Sequence, residues 1–367
     1  MQPRVAAFTD TYLPTVNGAT YTIEAWRERW RARGGRMPVV YPKAADYDPE
    51  SGEYPVRSLP FPFYEGFRVA TPQIPQAVQD ADIVHAHTPF SLGVAGYRLA
   101  RREDLPFVAH YHTPTSEYAE YLVPDVAAGL TERACERWER LFLDRADVVL
   151  TPSEETKRHV SDTIGVTTPV KTLPNGIELD RFSYTNPEPF RERYDLPTDR
   201  PVVGYTGRHG YEKRLRDLVD AAAELDVTVV FGGDGPARND LEARARERDV
   251  DAHFLGFLDR DELPEFYSLL DVFCFPSPVE TQGLVALEAN ACGTPVVGAN
   301  AGALAETVVD GETGYHYPPG DVTELREAVG RALADRESLS ETCLARRDQW
   351  SVEKAVDSLE SVYADVL

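Results

Sequence analysis

The chain has 367 residues, 42% of them hydrophobic, and a formal net charge of −23. That length is too great for one ordinary core and fits two domains, and the acidity excludes general nucleic-acid binding. Only 5 of the 38 basic residues are Lys, which suits a carboxylate-coated protein in a salty cytoplasm; an Arg-rich composition inherited from a GC-rich genome is the competing origin.

No run of eighteen apolar residues occurs, so no membrane span is expected. No basic-then-apolar leader precedes the first strand, so a cytoplasmic protein is expected. Cys135, Cys274, Cys292 and Cys343 lack metal-type spacing and read as free thiols in a reducing compartment.

In chain order, a predicted strand over 4–9 runs through Thr9-Asp-Thr-Tyr-Leu-Pro-Thr-Val-Asn17-Gly18 into a helix over 19–33. Asn17 and Gly18 thereby bring backbone amides to a strand-to-helix turn, a place suited to a phosphate. The turn lacks a full G-x-G-x-x-G, so a nicotinamide dinucleotide is not expected. Over 24–36 the helix region holds five Arg against two Glu, with Trp26 and Trp30 one turn apart. A local charge of this sign in an acidic chain, together with the aromatic loop Phe61–Phe67, fits peripheral docking of Trp26–Arg36 on an anionic membrane. The alternative is that the Trp side chains face the core while the Arg heads are solvated.

Strands follow over 38–42, 82–87, 106–111, 147–151 and 170–173, with a helix over 129–145. His85 and His87 end one strand, and His110 and His112 another. A metal site made of these four is conceivable, but no carboxylate or Cys ligand pattern accompanies them, and a single His at the cleft bonding a substrate hydroxyl suits the chemistry better. Residues 179–200 are polar and Pro-bearing, without a strong strand, and read as a hinge. The domain expectation is therefore 1–178, a linker over 179–200, 201–350, and a last helix over 351–367 that crosses back to the first domain.

Beyond the hinge, strands over 201–206, 227–232, 252–256, 271–275, 294–299 and 314–317 alternate with helices over 213–224, 238–249 and 321–334. Continuous apolar strands alternating with amphipathic helices give doubly wound parallel sheets, which bind ligands at the carboxyl ends of their strands. Gly207-Arg208 and Lys213 bracket the loop after the first of these strands, and fixed positive charge there suits a diphosphate. Gly232-Gly-Asp-Gly-Pro236 is a tight turn after the next. Glu280-Thr-Gln282-Gly283-Leu284 leads into a helix carrying Glu288. The free amides at its start make an anion site, and Gly283 lets an anion approach the backbone. A carboxylate on each side suits a sugar nucleotide, with Glu288 accepting from ribose and Glu280 from the transferred sugar.

Taken in order, Tyr12-Leu-Pro-Thr-Val-Asn-Gly18, His85-Ala-His-Thr-Pro89, Tyr111-His-Thr113, Pro174-Asn-Gly-Ile177, Gly207-Arg208 to Glu212-Lys213, Gly232 to Pro236, Leu255-Gly-Phe257 and Glu280 to Pro295 resemble retaining glycosyltransferases of the GT-B architecture, family 4. The resemblance covers nearly the whole chain. It implies two Rossmann-like domains facing across a cleft, a UDP- or GDP-hexose donor and no metal. It further implies that Arg208 and Lys213 hold the donor diphosphate, that Glu288 holds the ribose, and that segment 255–258 with Phe257 lies by the base. Glu280 and the amides of Gln282, Gly283 and Leu284 would hold the sugar and phosphate. Gly18, beside Asn17, would meet the phosphate from the first domain, and His112 would bond the sugar near the reacting carbon. His209-Gly210 and Gln282 depart from the commoner residues of the family. The opening Thr9–Pro14 and the loop 59–68 look most like lipid glycosyltransferases, so the acceptor is expected to be a lipid or glycan. A sugar-nucleotide epimerase of the same fold and a non-catalytic glycan-binding subunit are the rival readings.

Overall fold

The computed structural model describes residues 2–61, 67–112, 114 and 128–367. The chain forms two units, Met1–Gly176 with Val352–Leu367, and Ile177–Ser351. Most of the aromatic loop Phe61–Phe67, and Thr113, lie outside the described residues.

The strands of the first unit are β1 (Val5–Phe8), β2 (Val39–Pro42), β3 (Glu53–Val56), β4 (Ser58–Pro60), β5 (Arg68–Ala70), β6 (Ile83–Ala86), β7 (Phe107–His110), β8 (Val148–Thr151) and β9 (Val170–Thr172). Seven of them make a parallel sheet in the order β3-β2-β1-β6-β7-β8-β9, and β4 and β5 form a separate antiparallel ribbon. The four residues of each of β1, β2, β6, β7 and β8 are buried throughout, as expected of parallel strands covered on both faces. Helices α1 (Gly18–Ala32), α2 (Ser91–Glu103), α3 (Ala128–Leu143) and α4 (Glu154–Arg158) supply most of that cover. Three strands escape the sequence pattern. β3, β4 and β5 are three or four residues long, two contain Pro, and none has an apolar run.

The second unit has β10 (Val202–Thr206), β11 (Thr228–Gly232), β12 (Ala252–Gly256), β13 (Val272–Phe275), β14 (Val296–Ala299) and β15 (Gly314–Tyr317), all parallel in the order β12-β11-β10-β13-β14-β15. Its helices are α5 (Glu188–Arg193), α6 (Leu215–Ala222), α7 (Arg238–Arg248), α8 (Leu263–Leu269), α9 (Leu284–Ala291), α10 (Leu304–Thr307), α11 (Val322–Ala334) and α12 (Arg336–Arg346). The strand order reverses beside β1 in the first sheet and beside β10 in the second. The loops after β1 and β6, and after β10 and β13, therefore diverge and leave a crevice at the strand ends.

One expectation needs correction. Residues 179–200 are not a linker: Phe182, Phe190 and Leu196 are buried in the core of the second unit, and α5 lies among them. Of the two readings of the Arg-rich helix, the one with its Trp side chains in the core holds. Trp26 and Trp30 are completely buried, donating to the backbone oxygens of Asn175 (2.7 Å) and Pro3 (3.2 Å). Their partner is the last helix, α13 (Val352–Val366), whose Tyr363 meets Trp30 edge-on at 5.3 Å. Arg27 is buried against Glu53 at 2.8 Å, while Arg29 and Arg33 pair with Glu353 and Asp357 of α13 at 2.9 and 2.6 Å. Most of the local positive charge is thus spent inside the unit.

Candidate functional site

In the second unit the crevice between β10 and β13 gathers four of the expected residues. β10 ends at Thr206, and Gly207 turns the chain at φ +138°, its N–H donating to Gly232 O at 3.2 Å. The loop carrying Gly233 lies so near that a Cβ there would fall 2.0 Å from Gly207 O. The two glycine turns pack backbone on backbone, which fixes where Arg208 leaves the strand. Arg208 meets Glu212 at 2.9 Å, and Lys213 meets Glu280 at 2.8 Å. Two cations, each held by a carboxylate on one side, stand at the point where the fold binds ligands.

Glu280 is reached from the other strand. The loop after β13 is held by Ala303 N–H donating to Glu280 O (3.2 Å) and by Thr307 Oγ1 donating to Gln282 O (2.5 Å). Gln282 is buried. Gly283 caps α9 at φ +76°, where a side chain would meet Leu304 Cδ2 at 2.7 Å. It offers no side-chain cap, and the first turn of α9 has no acid. The positive helix end, starting at Leu284, is therefore left for an anion.

Glu288, farther along α9, is buried and accepts from Tyr267 Oη at 2.7 Å. Burial pushes its carboxyl above the usual range, opposed by the nearby Arg260 and by the Tyr267 bond. Phe257 follows the edge strand β12 and is 63% exposed, an uncovered ring at the carboxyl end of the same sheet. The sequence reading left Glu212 no role beyond its place in the motif, and it missed Tyr267, which lies 21 residues before Glu288 with nothing to connect them.

In the first unit, Asn17 caps α1 by accepting from Thr20 N–H (2.9 Å) and donates to Thr11 Oγ1 (2.7 Å). Its side chain is committed to the turn, and exposed Gly18 is the first helical residue. Asp10, which the sequence reading left without a role, is buried and accepts from Thr88 and Ser91 hydroxyls at 2.7 Å each and from Leu92 N–H at 3.1 Å. It ties the end of β1 to the start of α2. Burial raises its carboxyl above the usual range against these bonds.

His112 lies just beyond β7 and stacks on His110 with centroids 4.0 Å apart and planes 2° apart. Its Nε2 is 3.0 Å from His87 Nδ1, and His85 Nδ1 is 2.7 Å from Tyr363 Oη. Burial holds all four imidazoles below their ordinary range, His85 and His112 down to about 3, so all are neutral at physiological pH. Ring nitrogens of His85, His87 and His110 lie within 4.8 Å of one another. His85 and His87, however, stack face to face at 4.1 Å, which keeps their in-plane lone pairs in adjacent planes instead of aiming them at one ion. The arrangement suits hydrogen bonding better than a tetrahedral metal.

Comparison with known proteins gives the family and the fold. Residues 187–346 match the family "Glycosyl transferases group 1" and residues 16–181 match "Glycosyltransferase Family 4". The alpha-monoglucosyldiacylglycerol synthase of Streptococcus pneumoniae is 30% identical over 80% of this chain and 70% of its own. A GDP-mannose-dependent alpha-mannosyltransferase of Mycobacterium tuberculosis is 30% identical over 91% of this chain and 89% of its own. Among solved structures, a sucrose-phosphate synthase from Thermosynechococcus elongatus superposes with a TM-score of 0.81 at 23% identity, covering 100% of this chain and 99% of its own. HepE of Anabaena, solved with UDP, gives 0.78 at 19% identity over 99% and 100%. The two parallel-sheet units have the GT-B fold.

Proposed function

The chain belongs to the family 4, group 1 glycosyltransferases, and from that premise we propose that it moves a glucose- or mannose-type hexose from a nucleoside diphosphate to a hydroxyl on a lipid or lipid-linked glycan. The observation that carries this reading is the pair of cations Arg208 and Lys213 beside Glu280 and the uncapped start of α9. Diphosphate oxygens take the two cations and the amides at Gln282, Gly283 and Leu284. Glu280 accepts from sugar hydroxyls, Glu288 from ribose, and the exposed Phe257 segment lies by the base. Gly18, next to Asn17, is assigned to phosphate and His112 to a sugar oxygen.

In the proposed reaction the bond from the anomeric carbon to the diphosphate oxygen breaks and the acceptor oxygen bonds to the same face. The acceptor proton passes to the departing diphosphate. Retention follows from same-face attack, and fixed cations stabilise the leaving charge, so no metal is called for. The test is a panel of radiolabelled nucleoside diphosphate hexoses with membrane lipid extract, with and without EDTA. Label from at least one donor should enter a lipid-extractable product equally in both arms. Labelled free epimer without transfer would favour the epimerase reading, and loss of transfer on chelation would overturn metal independence.

Of the Trp26–Arg36 segment, Arg31 and Arg36 remain for the proposed membrane contact, joined by the β4–β5 ribbon. Arg31 and Arg36 are exposed and lack a carboxylate partner among the described residues, and Leu59 pairs with Val69 across the β4–β5 ribbon, 68% and 48% exposed. Vesicle flotation should weaken with Arg31→Glu and Arg36→Glu at low salt and with Leu59→Ser and Val69→Ser at high salt, where screening leaves apolar insertion dominant. Wild-type flotation by both variants would leave the acceptor to be delivered in solution.

A further inference from the structure

The histidine cluster holds an imbalance that the reaction as described does not use. His87 is buried, and its Nε2, sealed from solvent, has no hydrogen-bond partner among the described residues. Its Nδ1 shares one bond with His112 Nε2 at 3.0 Å. Only one of those two nitrogens carries the proton, and the choice fixes what the far side of each ring presents. If His112 donates, His87 must carry its own proton on Nε2, a buried N–H with nothing to receive it. If His87 donates, its Nε2 is a bare lone pair, and an under-used buried acceptor is commoner than an orphaned buried N–H. The second arrangement is the less costly one.

The consequence falls on His112. With Nε2 accepting from His87, its single proton sits on Nδ1. His112 lines a cavity of about 20 Å³ together with His87, His110, Thr11, Ala19 and Glu139. His110, flat beneath His112, fixes the plane of the ring. We propose that His87 is a positioning residue that sets the tautomer of His112, so that His112 donates an N–H from Nδ1 to an oxygen of the donor sugar. This rests on the assignment of His112 to the sugar. His110 and His87 then divide the task, one setting the plane and the other the proton.

Two-bond ¹⁵N–¹H correlation spectra of ¹⁵N-histidine-labelled protein read the tautomer directly, with His112→Gln identifying the resonance. In the wild type His112 should show a protonated Nδ1 and a bare Nε2. In His87→Phe that preference should be lost, with kcat roughly 10- to 100-fold lower and the Kd of free nucleoside diphosphate unchanged. His87→Asn, whose amide nitrogen can replace the Nδ1 donor, should recover most of the rate. A wild-type His112 protonated at Nε2, or a tautomer unmoved in His87→Phe, overturns the proposal. The wild-type spectrum decides this even if His87→Phe does not fold. It also decides it if no donor is turned over, in which case the proposed function fails and the tautomer assignment stands separately.

Discussion

Lys213 and Arg208 are each held by a carboxylate, Glu280 and Glu212, so a donor diphosphate has to compete for both cations. Removing either should cost most in the transition state, where the leaving charge grows: Lys213→Ala or Arg208→Ala should lower kcat by about 10²- to 10³-fold with an unchanged circular dichroism spectrum. Near-wild-type turnover in either would remove the assignment. The two glutamates should separate by ligand. Glu288→Ala should weaken free nucleoside diphosphate and intact donor alike, because ribose is common to both. Glu280→Ala should weaken the donor far more than the free diphosphate, and calorimetric titration of both ligands would expose equal losses if the division is wrong. These four residues were legible because their chemistry is written locally: a strand, a glycine, a charge. Tyr267, which holds Glu288, and His87, which holds His112, were legible only as residues. Their partnerships are made by the fold across 21 and 25 positions.

At the level of elements, α9 depends on one backbone conformation. Gly283→Ala places a Cβ at φ +76° and 2.7 Å from Leu304 Cδ2. The left-handed conformation alone costs about 1–2 kcal/mol for a residue with a side chain, so the urea midpoint should fall and nucleoside diphosphate binding should weaken as the first-turn amides shift. A variant matching wild type in both would show that the helix start does not hold the ligand. The long parallel strands could be read from sequence because burial on both faces demands unbroken apolar runs, as in Val148-Val-Leu-Thr151. β3 could not, since Glu53-Tyr-Pro-Val56 takes its stability from the buried Arg27–Glu53 pair and from Tyr12 and Tyr47 donating to the same carboxylate. α2 was hidden by Gly93 and Gly96, which break the helical signal. A Cβ at Gly93 would meet Thr88 O at 1.9 Å and one at Gly96 would meet Phe8 at 2.9 Å, so the same glycines let the helix close on its sheet.

For the whole molecule, four buried neutral histidines make stability depend on pH. Their folded values lie below the unfolded value of about 6.5, with His85 and His112 at about 3. Below pH ~6.5 the unfolded chain therefore takes up protons that the native state refuses. Each histidine should remove roughly 1.4 kcal/mol per pH unit down to its folded value, while above pH ~6.5 stability is unaffected by them. Glu288 and Asp10, both raised by burial, oppose this, while buried His209, also lowered by burial, adds to it. Urea midpoints should agree at pH 8.5 and 7.5 and drop clearly by 5.5; equal midpoints at 7.5 and 5.5 would mean that the cluster is hydrated or charged. The net charge of −23 sets a second global property. If it is an adaptation to salt, the melting temperature should rise from 0.1 to 2 M KCl as screening relieves carboxylate repulsion. A flat or falling profile would assign the Arg-rich composition to the genome instead. Hexosyl transfer with retention is decided by the anomeric configuration of the first-formed product, read by ¹H NMR during turnover of an α-linked nucleoside diphosphate hexose. An α-linked product is expected from the earliest time point; a β-linked first product would rule retention out.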